Sequence, residues 1–103
     1  MSRRVLALLA SSAVGLTFAV SGQLRAALAD DEMAEAQRFV SRGAFEDSVA
    51  HWKKAEGLFG QAKNSSGQIE ADVHLVAAYQ ALGQTNLAAA TLMRAQKLTA
   101  AGD

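Results

Sequence analysis

The sequence predicts an all-α chain, in which two antiparallel helical hairpins of an α-solenoid follow a signal peptide. A glycine-centred pattern occurs twice, apolar residues recur every three or four positions, and the chain has no proline and no alternation typical of strands. In each copy a small residue, a bulky apolar residue and an alanine follow the glycine by 5, 9 and 12 positions. The copies are Gly43 with Ser48, Trp52 and Ala55, and Gly83 with Ala88, Leu92 and Ala95. This spacing is typical of helix–turn–helix units that stack on one another.

Residues 1–29 have the three-part layout of a secretory signal peptide. Arg3 and Arg4 form a basic start, and an apolar stretch follows over 5–20. The segment ends in a small-x-small site at 27–29, which acidic residues follow directly. We therefore expect cleavage between Ala29 and Asp30, and a mature protein in a bacterial periplasm or outside the cell.

An uncleaved membrane anchor is the alternative interpretation of this segment. Its apolar stretch is shorter than the roughly 20 residues that a spanning helix needs. Gln23 and Arg25 also interrupt its extension. These two features favour the signal peptide, after whose removal no membrane contact is expected.

The mature segment 30–103 is acidic, because cleavage removes three of the ten basic residues and none of the ten acidic ones. The resulting net charge of about −3 argues against binding to nucleic acid or to anionic lipid, which both rely on clustered Lys and Arg. The absence of cysteine excludes disulfides and thiolate sites. A segment of this size forms one domain, which must be stabilised by packing alone.

Apolar periodicity predicts two helices in a first unit over about 31–67. The first helix spans about 31–42, with acidic residues at its N-terminus and Gly43 at its end. The second spans about 45–63 and carries one apolar stripe. The stripe consists of Phe45, Val49, Trp52, Ala55 or Glu56, and Phe59.

A second unit over about 68–103 follows a turn predicted at 64–67. Its first helix, over about 68–82, is expected to place Ile69, Val73, Val76 and Tyr79 with Gln80 on one side and to end at Gly83. Its second helix, over about 86–100, is expected to point Leu87, Leu92, Ala95 and Leu98 inward.

These residues resemble the tetratricopeptide repeat (TPR) family over essentially all of 31–98. The second unit supplies Leu75, Val76, Tyr79, Gly83, Ala88, Leu92 and Ala95 at the family positions. The first supplies Ala36, Phe39, Gly43, Phe45, Ser48, Trp52 and Ala55. The departures are Val76 where a small residue is expected, Ser48 for alanine, Glu35 for leucine, and the missing proline after the second helix.

The two units repeat at 40 residues, whereas the standard repeat has about 34. This longer period, together with the phrase 79–84, resembles repeats found in bacterial proteins N-terminal to a caspase-like CHAT domain. In that family the repeat array is an interaction or regulatory module, and catalysis lies in the downstream domain.

The resemblance implies a concave face lined mainly by the first helix of each unit. Its candidate partner-binding residues are Met33, Gln37, Val40, Ser41, Glu70, Val73, Ala77, Gln80 and Ala81. The Lys, Arg and Asn cluster with which the family grips a terminal carboxylate is absent from this set. Amide, thioether, small apolar groups and one carboxylate suit a peptide or a helix. The alternative is that these residues face water or a further repeat and bind nothing.

Single residues that suggest sharper chemistry have structural explanations. Trp52 could anchor a partner, but its place in the apolar stripe favours the core, as for Tyr79. His51 and His74 lie on different predicted helices, and a metal site needs at least three ligands, so neither a metal nor another cofactor is expected. We expect no enzyme and no catalytic residues, because the mature chain offers no nucleophile with a positioned base.

Two functional hypotheses remain. The first is an exported TPR-like scaffold for protein–protein interaction, because two repeats are fewer than such arrays normally need and leave an apolar edge along Leu87, Leu92 and Leu98. A protein or peptide, a second copy, or further repeats would cover that edge. The alternative is the N-terminal fragment of a larger regulatory protein with a CHAT-type peptidase domain.

Overall fold

The chain folds into four α-helices that pack consecutively. The computed structural model describes the backbone of residues 2–102 and the side chains of residues 21–102. The helices are α1 (Ser2–Ser41), α2 (Phe45–Gln61), α3 (Ser65–Ala81) and α4 (Thr85–Gly102). Each packs chiefly on the next along the chain, α1 on α2, α2 on α3 and α3 on α4. The described backbone contains no β-strand, so the predicted all-α class is confirmed.

α1 differs most from its predicted bounds, because it does not begin near Asp31. It runs without a break through the expected cleavage site at Ala29. The segment 23–41 contains neither glycine nor proline and is rich in strong helix formers, so nothing in it starts a new helix. The side chains of 1–20 lie outside the described residues, and the signal peptide stays a prediction. Across the described residues, no helix is both long enough and apolar enough to cross a bilayer.

The turn predicted at 64–67 is wrong, since α3 already begins at Ser65. The side chain of Asn64 accepts a hydrogen bond of 3.0 Å from the backbone N–H of Gly67 and caps the helix. α2 accordingly ends at Gln61, two residues earlier than expected. Polar residues that suggested a loop are thus the first turn of a helix.

The three connections between helices share one geometry at intervals of 20 residues. Their left-handed residues are Gly43 (φ 73°), Lys63 (φ 56°) and Gly83 (φ 72°). In each, the N–H of the following residue donates to a carbonyl five residues back, over 2.8–2.9 Å. The accepting carbonyls belong to Phe39, Phe59 and Tyr79. These are Schellman motifs. The predicted helix ends at the two glycines are confirmed, whereas the equivalent role of Lys63 was missed.

The core consists of two clusters that join neighbouring helices. One contains Ala36, Trp52, Leu75, Ala78, Tyr79 and Ala88. The other contains Ala29, Ala55, Phe59 and Ala71. Trp52 is 2% exposed, so its predicted core position is confirmed.

The predicted core positions of Tyr79 and Ala95 are confirmed, whereas the positions predicted for Val73, Leu87 and Leu92 are wrong. Val73 is 56% exposed, and α3 instead buries Gly67, Ala71, Asp72, Leu75, Ala78 and Tyr79. On α4, Leu87 and Leu92 are about half exposed, while Ala88, Thr91 and Ala95 are buried. Small residues line the contact between these helices and let them approach closely. On α4 the larger residues Leu87 and Leu92 therefore remain on the outer surface.

Candidate docking surface

The outer surface of α3 and α4 carries an apolar groove. This α3/α4 groove has a volume of about 420 Å³ and is lined by Ile69, Val73, Leu92, Ala95, Gln96, Thr99 and Ala100. A smaller depression of about 200 Å³ continues from it towards the connection between the two helices. Its lining consists of Val76, Gln80, Thr85, Ala88, Ala89 and Leu92. Leu92 belongs to both and marks the centre of the surface.

The predicted concave-face residues do not all share this surface. Val73 and Gln80 lie beside Leu92 of α4, and they are the members that line the two depressions. Met33 and Val40 are partly buried against the core. The exposed remainder consists of Gln37 and Ser41 on α1, and Glu70, Ala77 and Ala81 on α3. Partner binding by these nine residues stays a prediction. The groove adds Leu92, which belongs to the predicted apolar edge, and further α4 residues that were not predicted to bind a partner.

A cluster of charged side chains connects α4 with α2 and α3 through Arg94, Glu56 and Asp72. Asp72 is fully buried, and Arg94 donates to its carboxylate from Nη2 at 3.0 Å and from Nε at 3.4 Å. Nη2 also lies 2.6 Å from Oε2 of Glu56, a charge contact without hydrogen-bond geometry. Because a buried carboxylate needs a partner, Arg94 fixes the position of α4 against α3. The sequence contained a signal for the burial of Asp72 but not for its pairing with Arg94, since Asp72 shares a helix face with Leu75 and Tyr79 at spacings of three and seven.

The two histidines belong to different helix contacts. Nδ1 of His51 lies 2.5 Å from a carboxylate oxygen of Glu32 on α1, and its ring stacks on Phe39 with centroids 5.2 Å apart. His74 on α3 stacks on Trp52 at 4.2 Å with the ring planes 8° apart. Within the described residues, no group of three or more His, Cys, Asp or Glu side chains is placed to hold a metal ion. Both histidines therefore join neighbouring helices.

No family model matches the chain, and no curated protein or solved structure matches it significantly.

Proposed function

We propose that the chain is an exported TPR-like scaffold that binds another protein and has no catalytic activity of its own. The observation that carries this proposal is the open apolar groove between α3 and α4. Val73 and Leu92 on its walls are 56% and 46% exposed, in a chain whose other helix contacts bury residues as large as tryptophan. Apolar surface concentrated in a groove is typical of a protein-binding site.

The arrangement of the helices belongs to the same proposal. We take α1 with α2 and α3 with α4 as two antiparallel hairpins of a TPR-like solenoid. The 40-residue sequence pattern and the consecutive packing of the helices support this arrangement. In such an array each hairpin covers its neighbour, so a hairpin without a following one presents an apolar face.

Export rests on the leader at 1–29, with cleavage between Ala29 and Asp30. Cleavage would leave Asp30, Asp31 and Glu32 at the start of α1, where carboxylates interact favourably with the helix dipole. N-terminal sequencing of the protein from its own cells should therefore begin at Asp30. An intact N-terminus on the exported protein would contradict this part of the proposal.

The binding function is tested by photo-crosslinking in the same cells. A photoreactive amino acid at position 92 should yield a discrete crosslinked product with a second protein, identified by mass spectrometry. The matched control places the same group at Lys53, which lies on the exposed side of α2 and outside the groove. Equal products from both positions, or none from position 92, would overturn the proposed function.

The alternative, the N-terminal part of a CHAT-type regulatory protein, remains a prediction. In that case the next helix of the same polypeptide would fill the α3/α4 groove. The crosslink at position 92 would then be intramolecular, within a longer chain.

A further inference from the structure

The α3/α4 groove corresponds, residue by residue, to a surface that is already occupied elsewhere in the molecule. Subtracting the 40-residue period converts the groove positions Ile69, Val73, Leu92, Ala95, Gln96, Thr99 and Ala100 into Ala29, Met33, Trp52, Ala55, Glu56, Phe59 and Gly60. α3 packs on this second set. Ala55 and Phe59 form a cluster with Ala71 of α3, and Met33 packs against it. Ala29 also belongs to this cluster in the uncleaved chain, and the other members remain after cleavage.

The stacked pair of aromatic rings belongs to the same contact. Trp52, the equivalent of Leu92, stacks on His74 of α3 at 4.2 Å. The α1/α2 surface is thus the site on which one helix packs, and we call it the seat of α3. The α3/α4 groove has the equivalent positions, but no helix packs on it. We infer that the α3/α4 groove takes a single helix of a partner protein, seated as α3 is seated on α1 and α2. The inference rests on the proposed function and specifies the partner.

The chemistry of the partner helix follows from the buried face of α3, which packs on the seat and also on Ala88 of α4. Its buried apolar residues stand at relative positions 1, 5, 9, 12 and 13. They are Gly67, Ala71, Leu75, Ala78 and Tyr79. A partner of this kind carries small apolar residues in its first turns, then leucine, a small residue and an aromatic.

One position should differ, because the groove has more room beside that position than the original seat has. A Cβ added to Gly67 would lie no farther than 2.7 Å from three atoms of the buried Phe59 ring, so only glycine fits there. In the groove Thr99 replaces Phe59, and Leu92 replaces Trp52. The partner helix should therefore carry alanine or a larger residue at its first position.

A second copy stacked head-to-tail does not satisfy these requirements. The α1 positions equivalent to the seated face of α3 are Ala27, Asp31, Glu35, Arg38 and Phe39. Three of these five are charged, and Glu35 already pairs with Arg38. Burying them in an apolar groove would leave charges without water or partners. The described part of α1 thus presents a polar face at these positions, whereas α3 and α4 present an apolar one.

The experiment measures, by fluorescence anisotropy, the binding of a synthetic helix to the mature protein as its own cells export it. The probe has the sequence of residues 64–84 with the change Gly67→Ala. A hydrocarbon bridge joins positions 73 and 77, which are both exposed on α3, and holds the peptide helical. We expect saturable binding that Leu92→Asp in the protein weakens at least about tenfold, because the variant removes a buried leucine contact. Absence of saturable binding up to about 1 mM, the range of the weakest specific contacts, would overturn the inference.

Met93→Asp is the matched control for the protein. Met93 is adjacent on α4 and 58% exposed, but it lies outside the groove lining. It should change the dissociation constant by less than about twofold. Equal weakening by the two variants, at equal helicity in circular dichroism, would contradict a site at the groove.

The extra room beside Thr99 is tested by comparing two probes, with alanine or glycine at position 67, on the unchanged protein and on a variant. The difference in helix propensity between the probes is the same for both proteins and therefore cancels. The Gly67→Ala probe should bind the unchanged protein better than the probe with glycine. Thr99→Phe in the protein restores the crowding of the original seat and should reverse that preference. An unchanged preference would contradict the seat equivalence.

Two further outcomes separate this inference from the proposed function. A crosslink at position 92 to another protein, without binding of the probe, would overturn the inference that the partner presents an α3-like helix. It would leave the proposed scaffold function intact. A dimer in sedimentation analysis that Leu92→Asp dissociates would overturn it in favour of a second copy.

Discussion

α2 and α4 occupy the same place in the 40-residue pattern but bury different residues. α2 lies between α1 and α3, and its Trp52 is 2% exposed, whereas α4 packs chiefly on α3 and its equivalent Leu92 is 46% exposed. Small residues at equivalent positions are buried in both helices, Ser48 with Ala88 and Ala55 with Ala95. The small positions are thus buried in both helices, whether or not a following helix is present. The bulky position is buried only where a following helix covers it.

Truncating the two bulky residues should give the largest difference between these helices. Trp52→Ala should lower the free energy of unfolding by about 3–5 kcal/mol, because it leaves a cavity in the core. Leu92→Ala should lower it by less than about 1 kcal/mol, since half of its surface already contacts water. Urea denaturation followed by far-UV circular dichroism measures both. Equal losses would mean that α4 has a covered face like that of α2.

Replacing Arg94 tests how much its ion pair with Asp72 contributes to the packing of α4, which makes few large apolar contacts. Arg94→Met should cost about 2–3 kcal/mol, because it leaves the carboxylate of Asp72 buried without its partner. This loss of stability is smaller than that expected for a fully buried ion pair, because the side chain of Arg94 is half exposed.

The double variant Asp72→Leu with Arg94→Met provides the control for this ion pair. It should recover most of the lost stability, since an apolar pair can replace a buried ion pair. If the double variant is as unstable as Arg94→Met alone, the loss comes from packing of the Arg94 side chain and not from the unpaired carboxylate.

Two glycines test how closely α3 approaches α2. Gly67→Ala should cost about 1–3 kcal/mol, because its new Cβ overlaps the buried ring of Phe59. Gly57→Ala is the control within α2, where a Cβ meets no atom within 4 Å. It should stabilise the chain by about 0.5–1 kcal/mol through helix propensity. Thermal unfolding would reveal the opposite signs, and a loss in both variants would contradict the close contact at Gly67.

The sequence predicted α2 well and α4 poorly for one physical reason. Periodicity identifies an apolar stripe but not the neighbour that covers it. In α2 helices lie on both sides, so Trp52 and Phe59 are buried as expected. In α4 the contact with α3 is made by Ala88 and Ala95, and the more hydrophobic Leu87 and Leu92 are left outside.

Features that depend on distant partners were also beyond the sequence. Asp72 is buried because Arg94 reaches it from 22 residues away, and no local pattern indicates that pair. The α3/α4 groove likewise depends on the rotation of two helices. The 40-residue period was found in the sequence, but the 20-residue interval between the turns was missed, although Phe39, Phe59 and Tyr79 each precede a left-handed residue by four positions.

Replacing Lys63, the middle one of the three left-handed turn residues, should give the smallest change in stability. A side chain at φ 56° is strained by about 1–2 kcal/mol, which glycine avoids. Glycine also gives the unfolded chain more freedom, which removes about 0.4–1 kcal/mol of the gain. Lys63→Gly should therefore stabilise the chain by up to about 1 kcal/mol in urea denaturation. Gly83→Ala, at the same φ region between α3 and α4, should show the reverse sign. A loss of stability in Lys63→Gly would mean that the lysine side chain makes a contact that outweighs its backbone strain, and the three turns would then be alike in geometry but not in energy.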